Sequence, residues 1–354
     1  MTVATPTAPN WGALPESMTA EQINRMIELF LSDQDPDTTG LITDKPGTRL
    51  GNAVLVGHFE DDSPEWHQAR RAGIGGSEIA SILGINSFKS RFVLWHEKYG
   101  TIQPEGIDPD FAEWGHRLEP VVRDKFADNH PEFEVLPGGS WVHVDRPWHL
   151  ANPDGRLLNK ATGEVDGIWE GKTSATGYGW ENGSVPVKYV AQVRHYLECF
   201  GFEYAYISVL IELGKYKEFV IYRDPMAPVV SMQPGEKDVW YAPGGPAMLA
   251  TAQEFVDSIH AGTPPPMDGG EDSHKLVRKF HPDIDGTTFD LDDKTGQQLL
   301  DARQAVKDAE SEHNRMKSVV IEQMGKAKYA SHRGVNIARR QANKAGPTLV
   351  AVNS

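Results

Sequence analysis

The chain has 354 residues and a formal net charge of −15, with 39% hydrophobic and 24% charged residues. This is the composition of a globular protein large enough for one large domain or two ordinary ones, and no apolar run approaches the roughly 18 residues of a membrane span. The single cysteine, Cys199, excludes an intramolecular disulfide framework and a cysteine-cluster metal site. The N-terminus lacks the basic and apolar regions of a signal peptide, so we expect an intracellular protein.

The charge is unevenly distributed along the chain. Residues 1–65 hold eleven acids against three bases, whereas residues 301–344 hold ten bases against five acids. Because binding follows the local potential, the acidic total does not exclude a surface for a polyanion. We interpret residues 1–62 as an acidic, partly disordered extension.

Hydrophobic periodicity and turn residues predict helices and strands in a mixed order. An amphipathic helix is predicted at 21–32. It is followed by helices at 77–83, 92–99, 113–129 and 187–201, strands at 133–136, 140–145, 154–158 and 165–173, and a hairpin at 204–212 and 216–222. The C-terminal part is predicted to contain loops at 223–245 and 262–270, helices at 248–259 and 297–324, and a small hairpin at 328–340. The fold class is therefore α/β, with a mixed central sheet flanked by helices, a long C-terminal helix and a small hairpin.

One constellation combines acids with a lysine on neighbouring elements. Asp154 begins one predicted strand, and Glu170 and Lys172 lie two residues apart on the next, so both project to one face. Glu119 lies on an upstream helix that could cover this face, and Gln192 lies on the helix that follows. Carboxylates hold Mg²⁺, and a lysine offsets charge on a reacting phosphate. A lone Glu-x-Lys is common on solvated strands, so the combination is what indicates phosphodiester hydrolysis.

A second constellation is the turn Gly75-Gly76-Ser77, which opens a predicted helix and follows Arg70 by five to seven residues. Amides and a hydroxyl at the positive end of a helix dipole favour an anion. The guanidinium of Arg70 could close over the same phosphate as a bidentate fork. An ordinary capped helix with surface arginines is the alternative interpretation.

Three further features have structural interpretations. Gly171-Lys172-Thr173 resembles part of a phosphate-binding loop, but Asp166 stands where the first glycine of that motif belongs, so nucleotide binding is rejected. Cys199 is predicted to be buried packing. The helix at 297–324 is interpreted as an amphipathic helix docked on the body, with an intersubunit helix as the alternative.

Five segments in this order resemble the YqaJ-like viral recombinases, relatives of bacteriophage lambda exonuclease in the PD-(D/E)xK nuclease superfamily. They are WHQARRAGIGGSEIASILGINSFKSRFVLWHEKYG (66–100), WGHRLEPVVRDKF (114–126), ANPDGRL (151–157), WEGKTS (169–174) and YVAQVRHYLECFGF (189–202). The resemblance covers residues 63–222 and continues more loosely to about residue 340. It implies a PD-(D/E)xK restriction-endonuclease-like core.

The activity implied by the resemblance is metal-dependent 5′→3′ exonuclease action on one strand of linear double-stranded DNA, in phage-type homologous recombination. The implied cofactor is Mg²⁺, with Mn²⁺ as a substitute. The residues that match the family's catalytic set are Glu119, Asp154, Glu170, Lys172 and Gln192, with Tyr196 as a weaker match. The matching metal ligands are Glu119, Asp154, Glu170 and the carbonyl of Gly171, and the matching 5′-phosphate ligands are Arg70 and Ser77.

The resemblance also implies partners and a location. The expected partners are double-stranded DNA ends, a single-strand annealing protein and further copies of the chain in a trimeric ring, without a membrane, in the cytoplasm of a bacterial host cell. The predicted exonuclease domain spans 63–340, with a core at 63–222 and a C-terminal helical part at 246–340, followed by a flexible tail at 341–354. Two alternatives stay open: another PD-(D/E)xK nuclease with an adaptation or restriction task, and a catalytically inactive DNA-end-binding protein.

Overall fold

The computed structural model describes residues 45–60, 63–86, 88–104, 109–212, 214–344 and 346–352. The helix predicted at 21–32 and most of the acidic extension lie outside these residues. The chain divides into two compact units, Met1–His281 and Pro282–Ser354. Among the described residues, no helix is long and apolar enough to cross a membrane.

The described part of the first unit contains ten strands and seven helices in mixed order. In chain order they are β1 (Arg49–Leu50), β2 (Ala53–Gly57), α1 (Pro64–Arg71), α2 (Gly76–Ile82), α3 (Arg91–Tyr99), α4 (Pro109–Asn129), β3 (Phe133–Pro137), β4 (Ser140–His143), β5 (Arg146–Ala151), β6 (Gly155–Asn159), β7 (Glu164–Ser174), α5 (Val187–Phe200), β8 (Tyr204–Ile211), β9 (Lys215–Tyr222), β10 (Val230–Ser231), α6 (Gly245–His260) and α7 (Glu271–Phe280). The second unit contains α8 (Asp293–Met324), β11 (Tyr329–His332), β12 (Val335–Gln341) and β13 (Thr348–Ala351).

A six-stranded sheet in the order β10-β9-β8-β7-β6-β3 forms the centre of the first unit. Neighbouring strands in this sheet are antiparallel, except β7 and β8, which are parallel and are connected through α5. A second, antiparallel sheet has the order β1-β2-β4-β5, and β11-β12-β13 form a third sheet in the second unit. The predicted mixed α/β fold is confirmed, and the small C-terminal hairpin has gained a third strand.

Strand β7 organises the core because its alternating side chains face two different helices. Ile168 packs in one cluster with Val193 and Leu197 of α5. Trp169 packs on the opposite face, in a cluster with Val122 and Phe126 of α4. The central sheet therefore lies between α5 and α4, and even-numbered residues such as Glu170 share the α5 face.

Three predicted segments need correction. All five residues of β2 are buried, and β2 pairs with β4, so the folded unit begins before residue 63 and the predicted extension at 1–62 is too long. At the other end, β13 pairs with β12 from Ala338 to Gln341, so the predicted tail at 341–354 contributes a strand. The predicted C-terminal helical part also divides, because α6 and α7 belong to the first unit and α8 to the second.

Candidate active site

The face of β7 that meets α5 carries the acids and the lysine of the first constellation. Glu170 is only 1% exposed, and its Oε1 accepts hydrogen bonds from Lys172 Nζ and from Gln192 Nε2, each at 2.6 Å. Gln192 lies on α5, and its Nε2 also donates to the hydroxyl of Tyr196 at 3.1 Å. The structure thus brings Glu170, Lys172, Gln192 and Tyr196 into one hydrogen-bonded group.

Asp154 joins this group from the loop between β5 and β6. Its Oδ2 accepts a hydrogen bond from the amide of Gly171 at 2.8 Å and lies 4.0 Å from Lys172 Nζ. Position 171 requires glycine, because a Cβ there would lie 2.7 Å from the ring of Trp169. The small residue lets the chain pass over the buried indole and present its backbone beside Asp154.

The electrostatics of the group follow from burial and from the two neighbouring acids. Burial, and then the negative charge of Asp154, raise the pKa of Glu170 to about 8, although Lys172 acts in the opposite direction. Burial alone would lower the pKa of Lys172, but Glu170 and Asp154 raise it above its ordinary value. Lys172 is therefore a fixed cation, whereas Glu170 readily holds a proton.

The donor set suits a hard divalent cation. Glu170 Oε2 is buried and has no hydrogen-bond partner among the described residues, and a buried unpaired carboxylate oxygen is costly unless something satisfies it. With Asp154 and the carbonyl of Gly171, it offers the oxygen-only ligands that Mg²⁺ prefers. The residues present therefore fit a Mg²⁺ ion.

Glu119 lies on α4, one turn before Val122. Val122 and Phe126 of this helix pack in the cluster of Trp169, on the face of β7 opposite Glu170. Among the described residues, no three acidic, histidine or cysteine side chains form a group that could hold a metal as they stand. The role of Glu119 as a metal ligand stays a prediction.

The second constellation forms around the start of α2. Arg70 Nη2 donates to Ser77 Oγ at 2.7 Å, and the guanidinium lies 4.5 Å from the ring centroid of Trp66. Ser77 is exposed, so the arginine and the hydroxyl form a polar pair that a solvent-borne anion can reach. The structure therefore brings together the two residues predicted to hold a phosphate.

Two residues that sequence reasoning missed support this pair. Lys98 is buried, and its Nζ donates to the carbonyls of Arg70 at 2.9 Å and Gly73 at 2.7 Å and pairs with Glu78 at 2.9 Å. Glu78 in turn accepts the amide of Gly75 at 2.9 Å. Burial opposes the ionisation of Glu78, but Lys98, Arg70 and the Gly75 amide together lower its pKa. A sequence signal existed, because Lys98 follows Trp95 by three residues and so shares its buried helix face.

Tyr196 connects the two constellations. One edge of its ring lies against Gly76, where a Cβ would come within 2.4 Å, and its hydroxyl contacts Gln192. Gly76, which precedes Ser77, and Gln192, which donates to Glu170, thus both contact the buried side chain of Tyr196. The second glycine of the Gly-Gly-Ser turn is required by this close packing of α2 on α5.

Comparisons with known proteins agree with the motifs. Residues 65–203 match the family model described as the YqaJ-like viral recombinase domain. A Bacillus subtilis protein, YqaJ, is 27% identical over 285 residues, which cover 78% of this chain and 82% of that protein. An African swine fever virus protein is 31% identical over 122 residues, which are 32% of this chain and only 34% of that protein.

Among solved structures, the alkaline exonuclease LHK-Exo of Laribacter hongkongensis is 16% identical to this chain, with a TM-score of 0.40. The match covers 62% of this chain and 99% of LHK-Exo. Its complex with dAMP gives 17% identity and a TM-score of 0.41 over the same shares.

Proposed function

We propose that this protein is a Mg²⁺-dependent nuclease that degrades one strand of linear double-stranded DNA from its 5′ end. Residues 65–203 match the model of the YqaJ-like viral recombinase domain, which supports this proposal. The observation that carries the proposal is the hydrogen-bonded group of Asp154, Glu170, Lys172 and Gln192 on one face of β7. Two acids, a fixed cation and an orienting amide are the parts that metal-assisted phosphodiester hydrolysis needs.

The metal ligands in this proposal are Asp154, Glu170, the carbonyl of Gly171 and Glu119. A divalent cation bound there supplies the Lewis acidity that offsets charge on the reacting phosphate. Gln192 fixes the rotamer of Glu170 by donating a hydrogen bond from its Nε2 to Glu170 Oε1. Lys172 bridges the two acids, and its ammonium orients a water and stabilises charge that develops on the phosphate.

The polar pair of Arg70 and Ser77 is the proposed ligand of the terminal 5′-phosphate. A terminal phosphate carries nearly two charges and accepts several hydrogen bonds, so it competes well for a guanidinium that already lies against a hydroxyl. Because Tyr196 contacts both Gly76 and Gln192, the phosphate would be held by the same packed elements that hold Glu170. Fixing the strand end in this way positions the neighbouring bond for hydrolysis.

The decisive experiment compares linear duplexes labelled at the 5′ or the 3′ end, in the presence of Mg²⁺. We expect early release of the 5′ label, late release of the 3′ label, and no degradation of a covalently closed circle. Glu170→Gln should abolish hydrolysis, and Glu164→Gln, an exposed acid at the start of the same strand, should not. Degradation of the circle would favour a restriction-type nuclease, and binding of ends without hydrolysis would favour the inactive end-binding protein.

A further inference from the structure

The charges of the second unit are segregated along its sequence. Residues 282–314 contain nine acids and three bases, whereas residues 315–344 contain eight bases and one acid, Glu322. The second stretch comprises the end of α8, strand β11 and strand β12, and we call it the basic end. A positive potential therefore concentrates on the small sheet although the whole chain is acidic.

One face of this sheet combines cations with exposed apolar groups. Tyr329 pairs directly with Arg339 across the β11–β12 ladder, so these two side chains share one face. The register shifts between Ala330 and Ser331, which breaks the alternation of β12 before Ile337 and Val335. The exposed fractions are 46% for Tyr329 and 52% for both Val335 and Ile337. The intervening Ala338 is buried on the other side. We call the side with Tyr329 and Arg339 the platform face.

The sheet is tied to the helix that precedes it. Arg340 follows Arg339 on β12 and donates a side-chain hydrogen bond to the carbonyl of Gly325, at the end of α8. Its backbone amide donates to the carbonyl of Lys328. The ammonium of Lys328 lies 5.2 Å from the ring centroid of Tyr329. Cations thus flank the exposed aromatic ring on an anchored sheet.

The chemistry of the ligand follows from this combination. Clustered cations select a polyanion, and an exposed tyrosine on a sheet that also exposes aliphatic side chains selects a partner that offers flat apolar surfaces. Single-stranded nucleic acid presents both, because its bases are unstacked and accessible. Duplex DNA presents its phosphates to such a surface and keeps its bases stacked, so it would leave the ring of Tyr329 without a role.

We propose that the basic end is a binding surface for single-stranded DNA, with phosphates beside Lys326, Lys328 and Arg339 and a base stacked on Tyr329. That the nucleic acid is DNA rests on the proposed function, since removal of one strand of a duplex leaves the other strand single. The surface belongs to the second unit and uses none of the residues of the candidate active site. It would retain the strand that the nuclease leaves behind.

Fluorescence anisotropy of a labelled oligothymidylate of about 20 nucleotides, in EDTA and over a range of salt concentrations, tests the surface in the full-length protein. Without Mg²⁺ the measurement does not depend on nuclease activity. The variant Lys326→Gln/Lys328→Gln/Arg339→Gln should bind less tightly at low salt. The slope of log K against log salt should fall by about two, since each neutralised phosphate contributes roughly 0.7 for a single strand.

A control variant removes the same charge from the acidic half of the unit, Lys294→Gln/Arg303→Gln/Lys307→Gln, and should bind like the wild type. Tyr329→Ala should weaken binding about tenfold at every salt concentration without changing the slope, because stacking is not ionic. Tyr329→Phe should restore the affinity. All of the side chains changed are exposed, so each variant should keep the wild-type thermal unfolding transition.

Three results would overturn the proposal. The first is equal loss of affinity in the control and basic-end variants, which would reduce the effect to net charge. The second is tighter binding of a matched duplex with no effect of Tyr329→Ala, which would indicate a phosphate-only duplex surface. The third is unchanged binding of single strands in every variant, as expected if the partner is an acidic protein. Failure of the labelled-duplex experiment with these binding results intact would refute the proposed nuclease and leave the surface standing.

Discussion

Glu170 shows how much of the candidate site the sequence can predict. Strand alternation placed Glu170 and Lys172 on one face, and the structure brings their charged atoms to 2.6 Å. The contact with Gln192 depends on how α5 packs on β7, which no local pattern contains. The same limit applies to the helix that carries Glu119. Periodicity predicted this helix but could not tell which face of the sheet it packs on.

The pKa of Glu170 leads to a pH-dependent metal affinity. Since burial and Asp154 raise this pKa to about 8, the metal-free carboxyl carries a proton at neutral pH, and Mg²⁺ must displace that proton to bind. We expect the Mg²⁺ affinity to rise up to about tenfold per pH unit below pH 8 and to level off above it. Calorimetric titration with Mg²⁺ between pH 6.5 and 9 measures this, with uptake of Mg²⁺ releasing protons at pH 7.

A matched pair of variants checks the assignment to this residue. Glu170→Gln should lose most of the Mg²⁺ affinity together with its pH dependence, because the amide neither ionises nor neutralises the cation. Glu164→Gln removes an exposed acid of the same strand and should leave the titration unchanged. A Mg²⁺ affinity that is constant across this pH range in the wild type would contradict the prediction.

Arg70 and Ser77 lead to a prediction about DNA ends. The wild type should degrade a duplex with a 5′-phosphate faster than one with a 5′-hydroxyl, and Arg70→Ala or Ser77→Ala should remove the difference. One charge-assisted hydrogen bond contributes about 1.5–3 kcal/mol, so we expect a preference of roughly one to two decades in initial rate. Rates on the two duplexes, measured at saturating Mg²⁺, give the preference directly.

The neighbouring arginine is the control for this prediction. Arg71 donates to Gln103 Oε1 at 3.3 Å, so Arg71→Ala removes an equal charge from the same helix end without touching Ser77. It should lower binding at low salt and keep the preference for the phosphate. Equal wild-type rates on the 5′-phosphate and 5′-hydroxyl duplexes would show that Arg70 and Ser77 do not bind the terminal phosphate.

At the scale of elements, predictions succeeded where the pattern was local and long. Helix α5, for example, was predicted to within a residue, because its apolar face is continuous and Gly201, with a φ of 81°, ends it. Strand β2 was missed because its five buried residues show no alternation, and its partner β4 is more than 80 residues away. Strand β5 was missed because Pro147 lies inside it, and proline usually argues against a strand.

Strand β2 lies within the acidic segment 1–62, so the part of this segment that contains β2 should matter for stability. Deleting residues 1–62 removes Val54, Leu55 and Val56, which are all at most 9% exposed. Each such side chain contributes about 1.5–3 kcal/mol, against a total stability of about 5–15 kcal/mol for a typical domain. We expect this deletion to abolish cooperative unfolding or to lower the urea midpoint strongly.

Deleting residues 1–44 is the comparison, because this shorter deletion leaves every described strand in place. It should keep the wild-type urea midpoint and, by the proposed function, the nuclease activity. Equal midpoints for the two deletions would mean that β2 adds nothing to stability, against its burial in the sheet.

At the scale of the whole molecule, the sequence predicted one domain from 63 to 340, whereas the structure divides the chain after His281. Met248, Ala252, Phe255 and Val256 of α6 are buried in one cluster with Trp95, which places α6 in the first unit. By contrast, α8 has no buried residue. Helical periodicity predicted that α8 exists but not that α8 is exposed, because an apolar stripe does not show whether another element packs against it.

The segment between α7 and α8 is where we expect a protease to cut first within residues 45–352. Every residue from His281 to Asp292 is exposed, and none belongs to a helix or strand. Exposed segments of this kind are the preferred sites of nicking, since the chain must extend into the protease. Phe289 is 84% exposed and is an aromatic residue of the type that chymotrypsin cleaves after.

Limited chymotrypsin digestion should therefore release a C-terminal fragment that begins at Asp290, while the larger fragment persists, as intact mass measurement would show. Tyr178 is also exposed, at 75%, but its amide and the next one are held in side-chain hydrogen bonds to Thr176 and Glu181. Phe289→Ala should slow the first cut severalfold, and Tyr178→Ala should not. A first cut after Tyr178 would contradict the prediction, because it would show that the chain opens inside the first unit before it opens between α7 and α8.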